Sequence, residues 1–379
     1  MILTLKQEES IKIAVNRYKH REKYTCIAGY AGTGKSTIVK FIVAALNLNL
    51  DDVVYVSYTG KASLVLKDKG NDNVMTAHKL LYKSYPKLDG TFSHVPKKSF
   101  DRPYKLIIVD EVSMLPKEMW DLLLSHGVHV IALGDPWQLP PIGADNGILQ
   151  HPHIFLDEII RQAQESEIIR LSMGIRENKP ITLFQGNEVR VLDKNELTSS
   201  LLMWPDQILV AKNTTRIFIN KQMRKILERG NEPVPDDKII CLRNNWNIVN
   251  NEGNPLVNGS LGYIKNIRMV KKPIIGKAYI ITFDTRSSLG KYDNILSDYK
   301  MLNEGIDTLG RNTRMVSANL RPNKFDYGYA LTTWKAEGSE WDKVLLMEEN
   351  FPFGKEERSK FLYTAVTRAK NKLVIVQNS

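Results

Sequence analysis

Residues Gly29-Tyr30-Ala31-Gly32-Thr33-Gly34-Lys35-Ser36-Thr37 set a lysine and a hydroxyl directly behind three glycines. Four free positions separate the first glycine from Gly-Lys-Ser, which is the spacing of a P-loop. In that chemistry the glycines let backbone N–H groups turn toward a polyphosphate, and the helix that follows adds the positive end of its dipole. Lys35 neutralises the β and γ phosphates and Ser36 ligates Mg²⁺. A second candidate is the acidic pair Asp110-Glu111, which follows an apolar run. Asp110 is placed to hold Mg²⁺ through water, and Glu111 to polarise an attacking water. A third is Gly134-Asp-Pro-Trp-Gln138, whose Asp and Gln are candidates to sense a γ-phosphate. Taken alone, that stretch reads better as a Pro-rich turn. Near the C-terminus Arg368 falls on or at the end of a helix. An arginine delivered there from a second domain stabilises transition-state charge; on its own it reads as a solvated surface residue. The ligands these residues call for are ATP and Mg²⁺.

The elements around them are those of an α/β fold with parallel sheets. Residues 24–28 form a short apolar run before the loop, and residues 38–46 follow as a helix with an apolar face. Residues 4–20 predict an earlier helix, capped by Thr4 and carrying Gln7. Residues 53–57 predict a strand leading into Tyr58–Ser63 and a helix through Lys67. Polar residues at the carboxyl end of a parallel strand sit where such sheets bind ligands. Residues 106–109 have the continuous apolar character of a central parallel strand, and 128–133 predict another. The first domain closes near residue 155. Strands at 189–192, 207–210, 329–332, 344–347 and 373–376, with helices near 166–176, 214–229 and 356–367, predict a second α/β unit. No second P-loop appears, so one nucleotide per chain is the simplest reading.

Two stretches break this rhythm. Residues 82–104 hold four prolines and glycines, several aromatic residues, and Lys97, Lys98 and Arg102. They predict a small hairpin excursion whose basic and aromatic mixture suits nucleic acid, though a solvated loop reads nearly as well. Residues 256–324 carry spaced glycines and short β-rich runs, the pattern of a small β-barrel. Its basic residues could track a phosphate backbone. The chain has 379 residues and a net charge of +11, which points toward a polyanionic partner. It has no long apolar stretch for a membrane span and no signal-peptide pattern at its start. Its two cysteines, Cys26 and Cys241, read as buried thiols in a reducing compartment.

In this order the motifs resemble superfamily 1 helicases, and most of all the RecD-like and phage Dda-like group called superfamily 1B. Gly29–Thr37 is similar to motif I, Tyr58–Ser63 to motif Ia, Asp110–Met114 to motif II and Gly134–Pro140 to motif III. Arg161-Gln162 resembles motif IV, Ala330–Glu340 motif V and Tyr363–Arg368 motif VI. The resemblance implies two RecA-like P-loop domains with ATP in the cleft between them. Residues 1–156 would be domain 1A, with the pin-bearing 1B element at 82–104; residues 157–255 and 325–379 would be 2A, with the 2B insertion at 256–324. Gln7 would contact adenine, the Gly29–Thr37 loop and Gly338 would bind nucleotide, and Gln138, Arg161 and Arg368 would reach the γ-phosphate. Thr59, Lys61, Thr76, His78, Thr332, Trp334 and Lys335 would line a single-strand channel. The sequence departs from the family in motif V, where His-Lys-x-Gln-Gly is replaced by Trp334-Lys335-Ala336-Glu337-Gly338. A carboxylate at 337 would repel phosphate where the family has an amide.

The implied activity is ATP-driven unwinding of DNA with 5′ to 3′ movement on a single strand, by a cytoplasmic monomer in a bacterium or phage-infected host. Single-stranded DNA and its junctions are the expected partners, and replication or recombination proteins are candidates. The competing readings are a translocase that strips proteins without separating strands, and a nucleotide-switched binding module with little turnover.

Overall fold

The structure, a computed structural model, describes residues 3–86, 92–140, 145–159, 165–182, 184–251, 253–273, 275–286, 290–305, 321–349 and 354–377. The chain divides into two compact units. The first holds residues 1–82, 96–197 and 336–379, and the second residues 83–95 and 198–335.

The first unit is built on a six-stranded parallel sheet. Across it the strands run Val74–Thr76, Val53–Ser57, Leu106–Val109, His129–Gly134, Tyr24–Gly29 and Ile154–Leu156. The central strands are apolar throughout because both faces are covered, and alternate residues feed two cores. Ile27, Leu106, Ile108, Ile131 and Leu133 join Ile38, Val39 and Ile42 of the helix Lys35–Ala45 on one face. Cys26, Ile107, Val109, Val130 and Ala132 join Leu80, Leu81, Trp120 and Leu123 on the other. Every strand in this sheet points the same way, so the Gly29 loop, Asp110 and Asp135 all emerge at one edge. The helix predicted at 4–20 spans Leu5–Lys19, closed by a Thr4–Gln7 capping box. The same unit contains a second run of strands. Trp341–Met347 pairs in parallel with Ala369–Gln377, which pairs in parallel with Val189–Asp193. The helices Glu167–Arg176 and Lys355–Val366 belong to this part.

The second unit pairs Gln207–Val210 with Ala330–Thr332 in parallel and packs the helix Asn213–Ile226 beside them. Its β-rich region is a five-stranded antiparallel sheet, in the order Lys291–Asp298, Gly276–Asp284, Leu261–Lys272, Lys238–Cys241 and Phe325–Tyr327. The predicted barrel stretch thus recruits Lys238–Cys241 and Phe325–Tyr327 from either side. The strand Leu261–Lys272 meets Lys238–Ile240 only over its first three residues. Ile264 still exchanges backbone hydrogen bonds with Asp236 and Asp237, but among the described residues nothing pairs with the outer edge from 265 to 272. Lys265, Arg268, Lys271 and Lys272 are exposed along it, and Lys271 stands opposite Lys277. Asp237, fully buried, takes hydrogen bonds from Arg224, Arg229 and Tyr329 and fixes the corner where this sheet begins.

The hairpin excursion is narrower than the predicted 82–104. Its strands are Tyr82–Pro86 and Phe92–Pro96. Lys97, Lys98 and Arg102 lie after it, on the segment returning to Leu106. Phe100 there stacks on His126 at 4.2 Å, and Tyr104 is buried, so these aromatic rings complete the core rather than a surface. Both cysteines are free and buried, as expected, and burial pushes each thiol up to about 12. Among the described residues no helix is long and apolar enough to cross a membrane.

Candidate active site

The loop after Tyr24–Gly29 is shaped by its glycines. A Cβ on Gly29 would lie 2.8 Å from the Leu156 carbonyl oxygen and 2.8 Å from Thr33 Oγ1, so only glycine fits. Gly32 and Gly34 have φ of 78° and 80°, and Gly34 ends the loop as the N-cap of Lys35–Ala45. This leaves the first N–H groups of that helix directed at the loop, the arrangement that binds phosphate. Lys35 Nζ donates to the carbonyls of Gly29 at 2.6 Å and Tyr30 at 2.9 Å. Burial lowers its ammonium below the ordinary value, against the pull of Asp135, Asp110 and Glu111. The Gln7 amide donates to the Thr33 carbonyl at 3.2 Å, so this buried side chain braces the loop from behind. Ser36 and Asp110 line one cleft of about 640 Å³ beside the helix. A hydroxyl and a carboxylate facing one space form an oxygen donor set suited to a hard divalent cation.

Asp110 follows Val109, and its Oδ1 accepts the Glu111 N–H at 3.0 Å. Glu111 holds φ at 52°, a strained left-handed conformation that redirects its side chain after the strand. Its Oε1 is 3.8 Å from Arg368 Nη1, while its Oε2 is buried without a hydrogen-bond partner. Burial pushes Glu111 up to about 7, with Arg368 opposing. Arg368 is itself buried and is held by the carbonyls of Thr364 at 3.1 Å and Ser339 at 3.4 Å. It is therefore a pre-positioned cation and not the solvated residue its sequence context alone allows. Gly338, with φ of 71°, lets the backbone pass this pair, since a Cβ there would stand 3.1 Å from Glu111 Oε2. Glu337, beside it, points a buried Oε1 that has no hydrogen-bond partner. Its carboxyl is pushed up to about 8 by burial and then by Glu111, with Arg368 opposing.

Gln138 lies in a turn in which its N–H donates to the Asp135 carbonyl at 3.2 Å. The first unit thus assembles Gln7, Lys35, Ser36, Asp110, Glu111, the Gln138 turn, Gly338 and Arg368. Arg161 lies outside the described residues. Two contributors, Tyr363 and Arg176, escaped the sequence reading. Tyr363 and Asp135 hydrogen bond to each other at 2.6 Å, and the Arg176 guanidinium lies 3.3 Å from the centroid of the Tyr30 ring. A tyrosine inside a helix and an arginine at a helix end carry no spacing signal that sets them apart.

The expected nucleic-acid residues are divided between the units. In the first, Thr59 and Thr76 cap the helices Gly60–Asp68 and Ala77–Leu81 by accepting from Ala62 N and Lys79 N. Lys61 Nζ lies 4.9 Å over the Trp341 ring, and His78 sits between the rings of Tyr58 and Tyr82. Lys97 Nζ donates to the Lys79 carbonyl at 2.9 Å and to Asp101 at 2.7 Å, while Lys98 is exposed and Arg102 faces Asp51 at 3.8 Å. In the second unit Thr332 ends a buried strand and Trp334 and Lys335 follow it.

Comparison with known proteins adds six findings. A model of the AAA domain matches residues 5–196, and a model of the UvrD-like helicase C-terminal domain matches residues 327–376. The ATP-dependent RecD2 DNA helicase of Deinococcus radiodurans is 26% identical over 376 residues, covering 91% of this chain and 46% of that protein. The ATP-dependent DNA helicase dda of Enterobacteria phage T4 is 25% identical over 178 residues, 46% of this chain and 40% of that protein. The chain therefore spans less than half the length of these two curated relatives. Among solved structures, the Pif1 helicase from Candida albicans has a TM-score of 0.56 at 16% identity, covering 99% of this chain and 94% of that one. The Pif1 helicase from Bacteroides in complex with ADP-AlF3 and ssDNA has 0.56 at 17% identity, covering 100% and 93%. At such identities the likeness is one of fold.

Proposed function

This chain belongs to the superfamily 1B helicases, and from that premise we propose that it is an ATP-driven DNA helicase moving 5′ to 3′ along a single strand. The observation that carries the reading is the meeting of Glu111 and Arg368 at 3.8 Å beside a P-loop. A nucleotide switch needs the loop alone; turnover needs a base for water and a cation for the developing charge.

ATP binds with its phosphates along the Gly29–Thr37 loop, where Lys35 leaves its carbonyl partners for the β and γ oxygens. Ser36 and Asp110 would hold Mg²⁺, which when bound neutralises charge across those phosphates. Glu111 accepts a proton from water as the water oxygen bonds to the γ phosphorus. The bond from that phosphorus to the β–γ bridging oxygen breaks, and ADP leaves with its electron pair. Gln138 and Arg368 hold the equatorial oxygens, and Arg161 is assigned the same task. Gln7 is assigned to adenine, which its amide reaches by leaving the Thr33 carbonyl. The proposed domain limits are 1A over 1–156 with 1B at the hairpin 82–96, and 2A over 157–255 and 325–379 with 2B at 256–324. Thr59, Lys61, Thr76, His78, Thr332, Trp334 and Lys335 grip single-stranded DNA, and their grip changes with the nucleotide. Binding energy that differs between two states is what lets hydrolysis drive motion.

The test is strand displacement from duplexes with a 5′ or a 3′ single-stranded tail, with Lys35→Ala as control. Unwinding only from the 5′ tail is expected. Unwinding only from the 3′ tail overturns the polarity, and ATP hydrolysis without displacement replaces the helicase by a translocase.

A further inference from the structure

The last turns of the helix Lys355–Val366 are buried, and they carry the fully buried Tyr363 and Thr364. The Tyr363 hydroxyl accepts the Ala31 N–H of the P-loop at 2.9 Å and donates its one proton to Asp135 Oδ2 at 2.6 Å. The other Asp135 oxygen accepts the Trp137 N–H at 3.0 Å and so shapes the turn that carries Gln138. One residue on, Thr364 Oγ1 accepts the Leu139 N–H at 3.0 Å, and the Thr364 carbonyl accepts Arg368 Nε at 3.1 Å. A single helical turn therefore joins the P-loop, the γ-phosphate-sensing turn and the arginine. None of the reacting atoms requires a phenol at this place.

We propose that Tyr363 is a positioning residue that links occupancy of the P-loop to the placement of Gln138 and Arg368. The link rests on the hydrolytic reading given above. A phenol oxygen has one proton, and Asp135 takes it, so the same oxygen is left to accept from Ala31. Movement of the Ala31 N–H when a polyphosphate enters is then passed through one oxygen to Asp135, and from Asp135 to Gln138. The neighbouring Thr364 carries the same displacement to Leu139 and Arg368. Burial and Asp135 hold the hydroxyl well above the ordinary tyrosine value, so it keeps its proton over the working pH range.

Tyr363→Phe keeps the ring in its pocket and removes only the bridging oxygen. The experiment measures steady-state phosphate release with a saturating single-stranded oligonucleotide, alongside equilibrium binding of a fluorescent ATP analogue, in the full chain. Loss of one hydrogen bond to a charged partner is expected to lower kcat by about 10- to 100-fold, with analogue affinity changed by less than about 3-fold. Asp135→Asn breaks the same bond from the other side, because an amide N–H would face the phenol O–H, and it is expected to show the same split. In a double-variant cycle with Gln138→Ala, the losses should be less than additive, as for residues acting through one path. Weaker binding with unchanged kcat would make Tyr363 a structural support of the loop and overturn the proposal. Fully additive losses would do the same. Failure of the parent chain itself to hydrolyse ATP would instead refute the proposed function.

Discussion

Arg368→Ala removes a buried cation from beside two carboxylates, and its consequence can be sized. Arg368 Nη1 stands 3.8 Å from Glu111 Oε1, and the arginine is only 5% exposed. At that separation and an effective dielectric of about 20, one unit charge interacts with another by about 4 kcal/mol. A γ-phosphate gaining charge at a similar distance loses that much stabilisation, which is about a 10³-fold fall in kcat. The figure lies within the span of roughly 10³ to 10⁵ that arginine fingers contribute. ATP affinity should fall by less, since Lys35 and the loop amides remain. A second effect has a definite sign. Burial pushes the Glu111 carboxyl up to about 7 even with Arg368 holding it down. Without the arginine that value rises, less Glu111 is ionised near neutrality, and the acid limb of the rate profile moves to higher pH. The assay is oligonucleotide-stimulated phosphate release across about pH 6 to 9, the range in which such a limb is visible. A kcat within about 10-fold of the parent, with the acid limb unmoved, would refute the assignment of Arg368 as the transition-state cation.

Three further expectations come from single contacts. Glu337→Gln replaces a carboxyl whose value of about 8 in the fold exceeds its ordinary 4.5. The folded state holds that proton more tightly, so the glutamate destabilises increasingly as pH rises from ~4.5 through ~8, and the glutamine should not. Thermal melts of the two proteins should coincide in acid and separate with the variant more stable in base; parallel curves would contradict this. Gly29→Ala sets a Cβ 2.8 Å from the Leu156 carbonyl oxygen. It should lower stability by about 1–3 kcal/mol, read by urea unfolding, and weaken binding of a fluorescent ATP analogue; unaltered binding would mean that the loop yields. Lys97→Ala should destabilise by about 1–2 kcal/mol through its lost carbonyl and Asp101 partners, whereas exposed Lys98→Ala should leave urea unfolding unchanged and weaken oligonucleotide binding. The opposite pattern would exchange their roles.

The P-loop, the acidic pair and the parallel strands were legible in the sequence because each depends on local spacing. Gly29, Lys35 and Ser36 act through backbone geometry that nine adjacent residues determine. Leu106–Val109 could only be a strand covered on both faces, and Asp110 had to emerge at its end. Contacts between distant segments were not legible. Tyr363 reads as core, and only folding brings its hydroxyl to Ala31 and Asp135. Lys97 reads as surface charge until the Lys79 carbonyl captures it. The departure at Glu337 was visible, but its setting was not: the structure places its influence on Glu111 and Arg368. Phe100 and Tyr104 show the same limit from the apolar side, since an aromatic residue in a basic stretch has two equally good uses until its neighbours are known.

The open side of Leu261–Lys272 has a consequence for handling and engineering the protein. On that side residues 265–272 present a ladder of backbone donors and acceptors that no described strand uses. Such an edge is a template on which a second chain can add itself. Lys265, Arg268, Lys271 and Lys272 stand guard along it, and the facing pair Lys271 and Lys277 makes approach of another basic edge unfavourable. Their repulsion reaches only about 10 Å at 0.1 M salt and shortens as salt is added. Surface redesign that trades these four residues for uncharged β-formers, however harmless to the fold of a single molecule, would turn a solubility safeguard into a seed for ordered aggregation.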